Sequence, residues 1–212
     1  MPNAITNIQI SNQAIVLGNG LSRLDLNLSV IKNHHGGLLG AKTLQSYGCN
    51  ALYRDFAPDF LIAVGNNGII DEIAASDYTA DNIVYTNSIH TLEHPGKFYL
   101  IPHDPYADAG TTAAYIPAFD GHKNIYLLGF DGQDTPGHNY NVYAGTPGYE
   151  DIKVEGRTYT WRQNFRQLAQ VYNDVMFSFV FKESTRVLPV EFRDLLNVEI
   201  INYNKFVIAV DL

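Results

Sequence analysis

The chain has 212 residues, 46% of them hydrophobic and 17% charged, which supplies one sizeable apolar core and excludes a disordered chain. Its formal net charge is −8 with no run of Lys or Arg, which argues against a broad surface for nucleic-acid phosphates. The single cysteine, Cys49, excludes an intrachain disulfide and a cysteine-rich zinc site, and no stretch approaches the roughly 20 apolar residues of a membrane span. The opening residues lack a basic segment followed by an apolar core, so no signal peptide is expected and the cytoplasm is the expected location.

In chain order, Ala14–Leu17 is a continuous apolar run that ends on Gly18-Asn19-Gly20-Leu21-Ser22-Arg23. Leu44–Gly48 and Phe60–Val64 read as further buried strands, and Asn67–Ala75 as a helix. Phe98–Ile101 is strand-like, and Ala109–Phe119 is helical despite Pro117, which should kink or shorten it. Ile125–Leu128 follows as a strand. The segment from Gly132 to Tyr149 is rich in Gly, Pro and Tyr without periodicity, which predicts a mobile loop over about 132–160 that orders over ligand. Trp161–Val175 places Trp161, Phe165, Leu168 and Tyr172 at helical spacing, and Phe177–Phe181 is again a strand. Val198–Ile201 and Phe206–Val210 read as two strands split by Asn202-Tyr203-Asn204-Lys205, a hairpin or sheet crossing. Strand alternating with helix predicts one α/β domain over residues 1–212, a Rossmann-like doubly wound, mostly parallel sheet with helices on both faces.

Such sheets bind ligands beyond the carboxyl ends of their strands. Those ends carry Gly18-Asn19-Gly20 with Ser22, then Cys49-Asn50, Gly65-Asn66, Pro102-His103-Asp104 and Gly129-Phe130-Asp131. A strand that breaks on Gly-x-Gly lets backbone N–H groups approach an anion, and asparagines both donate and accept, as a base or ribose requires. The same residues also serve as plain turn residues.

The segments Val16-Leu17-Gly18-Asn19-Gly20-x-Ser22, Gly48-Cys49-Asn50-Ala51-Leu52-Tyr53, Ala109-Gly110-Thr111-Thr112-Ala113 and Lys123 through Asp131 occur in this order. From about Ala14 to Asp131 the chain resembles the bacterial lipooligosaccharide sialyltransferases and the related hydroxymethylpterin-diphosphokinase-like proteins. The resemblance implies that Gly18, Asn19, Gly20, Ser22, Asn50, Thr111, Thr112, Gly129 and Asp131 hold a nucleotide or nucleotide-sugar, and the strand-end reading adds Asn66. It further implies a CMP-linked sugar donor, transfer to a hydroxyl, and no cofactor or metal. Two tyrosines of the family hydrogen-bond the leaving phosphate, and Tyr140 and Tyr143 stand at comparable distance. Neutral phenols suit that role, because they favour charge developing in the transition state over bound substrate.

The chain departs from the family pattern at several points. Leu21 replaces the usual proline, the Ser/Thr-Gly order is inverted to Gly110-Thr111, and the position of the family's basic histidine reads Tyr159-Thr160-Trp161-Arg162. His138 and His103 are the substitutes as acceptor base, a role that suits a pKa near neutrality. His34-His35 and His90-x-x-x-His94 lack a glutamate or cysteine partner and read as solvated loop histidines, with Pro95 disfavouring helix there. Arg54-Asp55 reads as a strand-end ion pair, and Arg162 and Arg166 as exposed cations of an amphipathic helix. Two rivals stand beside the transferase reading. One is a Mg²⁺-dependent pterin or nucleoside diphosphokinase using Asp131, Asp104 or Asp134; the other is a non-catalytic nucleotide-binding or structural protein. Nothing in the sequence sets an oligomeric state.

Overall fold

Ala14 and Val16 enter one hydrophobic core while Ile15 and Leu17 enter another, so the first strand is buried on both sides. A strand apolar on both sides belongs inside a sheet covered on both faces. The computed structural model describes residues 11–31, 44–131, 140–150, 157–183 and 186–212. Its strands are β1 (Gln13–Leu17), β2 (Gln45–Cys49), β3 (Phe60–Ile62), β4 (Ile83–Thr86), β5 (Tyr99–Leu100), β6 (Asn124–Leu128), β7 (Met176–Phe181) and β8 (Val198–Asn202). They form one sheet of eight strands in the order β5-β4-β3-β2-β1-β6-β7-β8. Every pairing is parallel. The chain therefore starts in the middle, runs out to one edge, and returns to the other side of β1.

Helices α1 (Asn67–Ala75), α2 (Tyr78–Asp81), α3 (Ser88–Glu93), α4 (Ala109–Asp120), α5 (Arg157–Val171) and α6 (Tyr203–Val210) complete the fold. Residues of α4 and α5 share the first core with Ala14 and Val16, and those of α1 and α6 share the second with Ile15 and Leu17. The doubly wound α/β architecture expected from the sequence is the one observed. No helix among the described residues is long and apolar enough to cross a membrane.

Several elements differ from the sequence reading. The tail is strand then helix rather than two strands: Asn202 caps α6 by accepting from the Lys205 N–H, and Phe206 and Val210, one turn apart, are buried while Ile208 is exposed. Helix α4 continues through Pro117 to Asp120 and ends on Gly121, whose φ of 99° closes the C-terminus. Helix α5 begins at Arg157, inside the span expected to be loop, and ends at Val171. Strand β4 and helix α3 were not assigned from the sequence. His90 lies on α3, with Asn87 as its cap, and His94 follows its end. Their ring nitrogens face different carboxylates, Glu93 for His90 and Asp71 for His94.

A buried titratable cluster sits at the C-terminal end of α4. The Tyr47 hydroxyl donates to Asp120 at 2.9 Å and meets His122 Nε2 at 3.0 Å, so a neutral His122 donates from Nε2 to the same oxygen. Burial raises the Asp120 carboxyl from an ordinary 3.8 to about 6, partly offset by the Tyr47 bond, and burial lowers His122 from 6.5 to about 4. The two act in opposite directions. Between pH 4 and 6 the folded chain holds more of the Asp120 proton than the unfolded chain, so that contribution is lost as pH rises. Between pH 6.5 and 4 the unfolded chain protonates His122 and the folded chain does not, so that contribution is lost as pH falls. Asp120→Asn should therefore make urea midpoints fall more steeply on acidification from pH 6.5, and His122→Gln should make them rise, each with a limiting slope of about 1.4 kcal/mol per pH unit. Parallel midpoint-against-pH curves for wild type and both variants would contradict this assignment.

Candidate functional site

Strands β1 and β6 are neighbours whose connections leave in opposite directions, so the topological switch point lies between their carboxyl ends. There the two loops pack backbone on backbone. Gly18 N–H donates to the Leu128 carbonyl and Gly20 N–H to the Gly129 carbonyl, each at 2.8 Å. A Cβ on Gly18 would stand 2.5 Å from the Gly129 oxygen, and one on Gly20 would collide with the Asp131 carboxylate. Gly129 has φ +80° and faces the Gly18 oxygen in return. The Gly-x-Gly signature is thus spent on joining two loops of the protein. Asp131 completes the joint: one oxygen accepts the Ser22 N–H at 2.9 Å, capping the 3-10 turn Leu21–Asp25, and the other pairs with Arg186 at 3.3 Å.

The segment 140–150 docks over this joint. Leu21 N–H donates to the Tyr140 carbonyl and Val142 N–H to the Asn19 carbonyl, both at 2.8 Å, with Gly20 and Asn141 forming an antiparallel bridge. Tyr143 is buried. Its hydroxyl donates to Asp55 at 2.6 Å and accepts from Arg23 at 3.0 Å, and burial holds its phenol well above the usual range. Arg54 reaches Thr146 and the Pro147 carbonyl, and Asn66 reaches the Gly148 carbonyl at 2.9 Å while accepting the Ile69 N–H as the cap of α1. Arg54 and Asp55 do not pair as the sequence reading had it. Arg54 binds Glu72 and Asp55 binds Arg23, because adjacent residues on the 3-10 turn Asn50–Arg54 and its end project to different sides.

Asn19 and Asn50 stand at equivalent positions beyond the paired ends of β1 and β2, where Leu17 is in register with Gly48. Asn50 sits in the left-handed region at φ 49°, and its Oδ1 accepts the Val64 N–H at 3.0 Å, which binds the β2 end to the β3 end. The hydroxyl of Tyr149 lies beside both asparagines: Asn19 Nδ2 approaches it at 3.4 Å, and the Asn50 side chain and the Ala51 backbone flank it. Burial pushes this phenol up to about 12. Asn19 Oδ1 is buried with no hydrogen-bond partner among the described residues. Cys49 lies nearby, its thiol raised to about 12 by burial.

Thr111 and Thr112 lie in the first turn of α4, which Asp108 caps. Asp108 accepts both the N–H and the hydroxyl of Thr111 and a bond from Asn164, and the Thr112 hydroxyl donates to the Ala107 carbonyl. His103 is not brought to the asparagines. It follows the edge strand β5, four places from β1, and its ring packs on Phe119, about 15 Å along α4 from Ala109 at 1.5 Å per residue. His138, Asp134, His34 and His35 lie outside the described residues. Arg162 and Arg166 are not bare surface cations either, since Glu191 and Asp194 pair with them. Tyr149 is the site residue that sequence reasoning missed.

Among solved structures the chain is similar to the monofunctional alpha-2,3-sialyltransferase Cst-I from Campylobacter jejuni, with 12% identity, a TM-score of 0.53, and coverage of 79% of this chain and 75% of that one. The fold is distantly sialyltransferase-like. At this identity the likeness speaks for the architecture, and it supports the sialyltransferase half of the resemblance and not the diphosphokinase half. No family model matches the sequence, and no curated protein matches it.

Proposed function

We propose that the chain binds a nucleotide-sugar at the carboxyl ends of β1 and β2 and transfers the sugar to a hydroxyl, as a metal-independent, sialyltransferase-like enzyme. The observation that carries this reading is Asn19 beside Asn50 at those paired strand ends, with Asn19 Oδ1 buried and without a partner among the described residues. A buried acceptor without a partner costs about 1–3 kcal/mol, a cost that a ligand hydroxyl or amine would relieve. The similarity to a sialyltransferase fold supports a CMP-linked donor over other nucleotides. In this reading Asn19 and Asn50 select the nucleotide, while Gly18, Gly20, Ser22, Gly129 and Asp131 form the scaffold that holds Asn19 in place. Asn66 supports the docked segment. Thr111 and Thr112 set the first turn of α4 beside it. Tyr140 is proposed to face the leaving phosphate. Tyr143 is engaged by Asp55 and Arg23, which favours a positioning role for it. The acceptor base falls to His138, because His103 packs on Phe119.

A second reading, a nucleotide-binding protein without transferase activity, is favoured by one observation. None of the histidines among the described residues stands beside Asn19 and Asn50: His90 bonds Glu93, His94 bonds Asp71, His103 packs on Phe119, and His122 bonds Tyr47.

Thermal-shift and calorimetric titration with CMP, UMP, GMP, AMP and their sugar conjugates tests binding. A ligand at a hundred times its Kd adds about 2.7 kcal/mol of apparent stability. Asn19→Ala should weaken CMP binding by about 1–3 kcal/mol with little change in the ligand-free melting temperature, since Asn19 makes only one long side-chain bond. Asn50→Ala is the less clean variant, because it also removes the acceptor of the Val64 N–H. Slow release of free CMP from a CMP-sugar in EDTA, without acceptor, would establish the transferase. Tight binding with no turnover would favour the second reading, and turnover confined to ATP and Mg²⁺ would overturn both.

A further inference from the structure

The strand-end site is not open in the ligand-free protein. Asn19 Nδ2 approaches the hydroxyl of Tyr149 of the same chain at 3.4 Å, and the Asn50 side chain and the Ala51 backbone flank that oxygen. The Oδ1 of Asn50 accepts the Val64 N–H at 3.0 Å, which fixes the orientation of that amide. The turn that delivers Tyr149 is fastened on its own account: Tyr149 N–H donates to the Thr146 carbonyl at 2.8 Å, and Arg54 and Asn66 hold Thr146, Pro147 and Gly148. The ring rests against Tyr143 with centroids 6.1 Å apart. The anchored turn and the hydroxyl are therefore separable, and the side chain can leave the asparagines without undocking the segment.

The fit of this internal group is incomplete. The Asn19 contact is long at 3.4 Å, and Asn19 Oδ1 is left buried beside it. The phenol oxygen takes up the Asn19 N–H and leaves Asn19 Oδ1 without a partner among the described residues. A ligand that offers both an acceptor and a donor, as a nucleobase edge or a ribose hydroxyl does, would satisfy both.

We infer that Tyr149 is an internal competitor for the strand-end site: its hydroxyl takes up the Asn19 amide beside Asn50 and Ala51, and a nucleotide binds by displacing it. This rests on the nucleotide-binding reading of the same site. The cost of displacement sets the apparent affinity, since a ligand sees only the fraction of molecules in which the Asn19 amide is free.

Calorimetric Kd values for CMP on wild type, Tyr149→Phe and Asn19→Ala decide the matter. Tyr149→Phe keeps the ring and removes only the competing oxygen, so CMP should bind about fivefold tighter or more, the worth of one ordinary hydrogen bond. If Tyr149→Phe lowers the melting temperature by more than a few degrees, Tyr149→Leu, which also lacks the oxygen, must show the same tightening. Equal or weaker CMP binding in the Tyr149 variants, with Asn19→Ala still impaired, overturns the competitor and leaves the nucleotide site standing. No nucleotide binding to any of the three proteins overturns both.

Discussion

Gly20→Ala should unfold a large part of the population under conditions where the wild type is stable. Its Cβ would collide with the Asp131 carboxylate and stand 2.5 Å from the Gly129 carbonyl, and neither is the free end of a flexible side chain. Asp131 is held by Ser22 N–H and Arg186, and Gly129 by its own positive φ. Overpacking costs about 1–3 kcal/mol and a displaced buried carboxylate a similar amount, so the loss should reach about 3–5 kcal/mol. That is a large share of the roughly 5–15 kcal/mol available to a domain. Gly65→Ala is the control. Gly65, unlike Gly20, has a positive φ, but nothing among the described residues lies within 4 Å of its added Cβ, so only backbone strain of about 1 kcal/mol should appear. Chemical denaturation of both variants checks this, and equal losses would mean that the β1 and β6 loops are not tightly joined.

The second large effect concerns the ion pair between Arg23 and Asp55, 3.0 Å apart and strongly unequal in burial. The Arg23 side chain is 1% exposed and the Asp55 side chain 48% exposed. Removing the carboxylate strands a buried guanidinium, whereas removing the guanidinium leaves a carboxylate that water can reach. Asp55→Ala should therefore cost about 3–5 kcal/mol, and Arg23→Met only about 1–2 kcal/mol. The double variant should be more stable than Asp55→Ala alone, because the stranded charge is gone. Urea denaturation of the three variants measures the asymmetry, and a reversed order would show that Arg23 finds another partner when Asp55 is lost.

Local pattern carried the architecture wherever one segment decided its own fate. The apolar runs at Ala14–Leu17, Ile125–Leu128 and Phe177–Phe181 and the periodic Asn67–Ala75 lie within or match observed elements. The tail misled because Phe206–Val210 is short and apolar, and only the burial of Phe206 and Val210 with Ile208 exposed separates helix from strand. The Gly-Asn-Gly loop was legible as a special turn, but its reason was not, since the atoms that crowd Gly18 and Gly20 come from Gly129 and Asp131. Tyr149 was invisible for a similar reason: its partner Asn19 is 130 positions away, and nothing in a loop of Gly, Pro and Tyr distinguishes one tyrosine from its neighbours. The charges of Arg54 and Asp55 were read as a pair because they are adjacent, and adjacency on a tight turn sends side chains apart.

The position of β1 bears on how the molecule comes into being. It precedes both of its neighbours in the chain, and the second of them, β6, lies beyond the whole β2–β5 half. During synthesis the earlier half can assemble with one edge of β1 still bare, a row of unpaired amides flanked by apolar side chains on both faces and open to mispairing. Closing that edge requires a long loop to be paid for in entropy before any contact is returned, which makes this a slow step. The same step sets Gly129 against Gly18, brings Asp131 to Ser22, and carries in the segment that bears Tyr149. The proposed ligand site therefore does not ripen gradually on a finished scaffold, and a newly made chain acquires it only with the closure that completes the sheet.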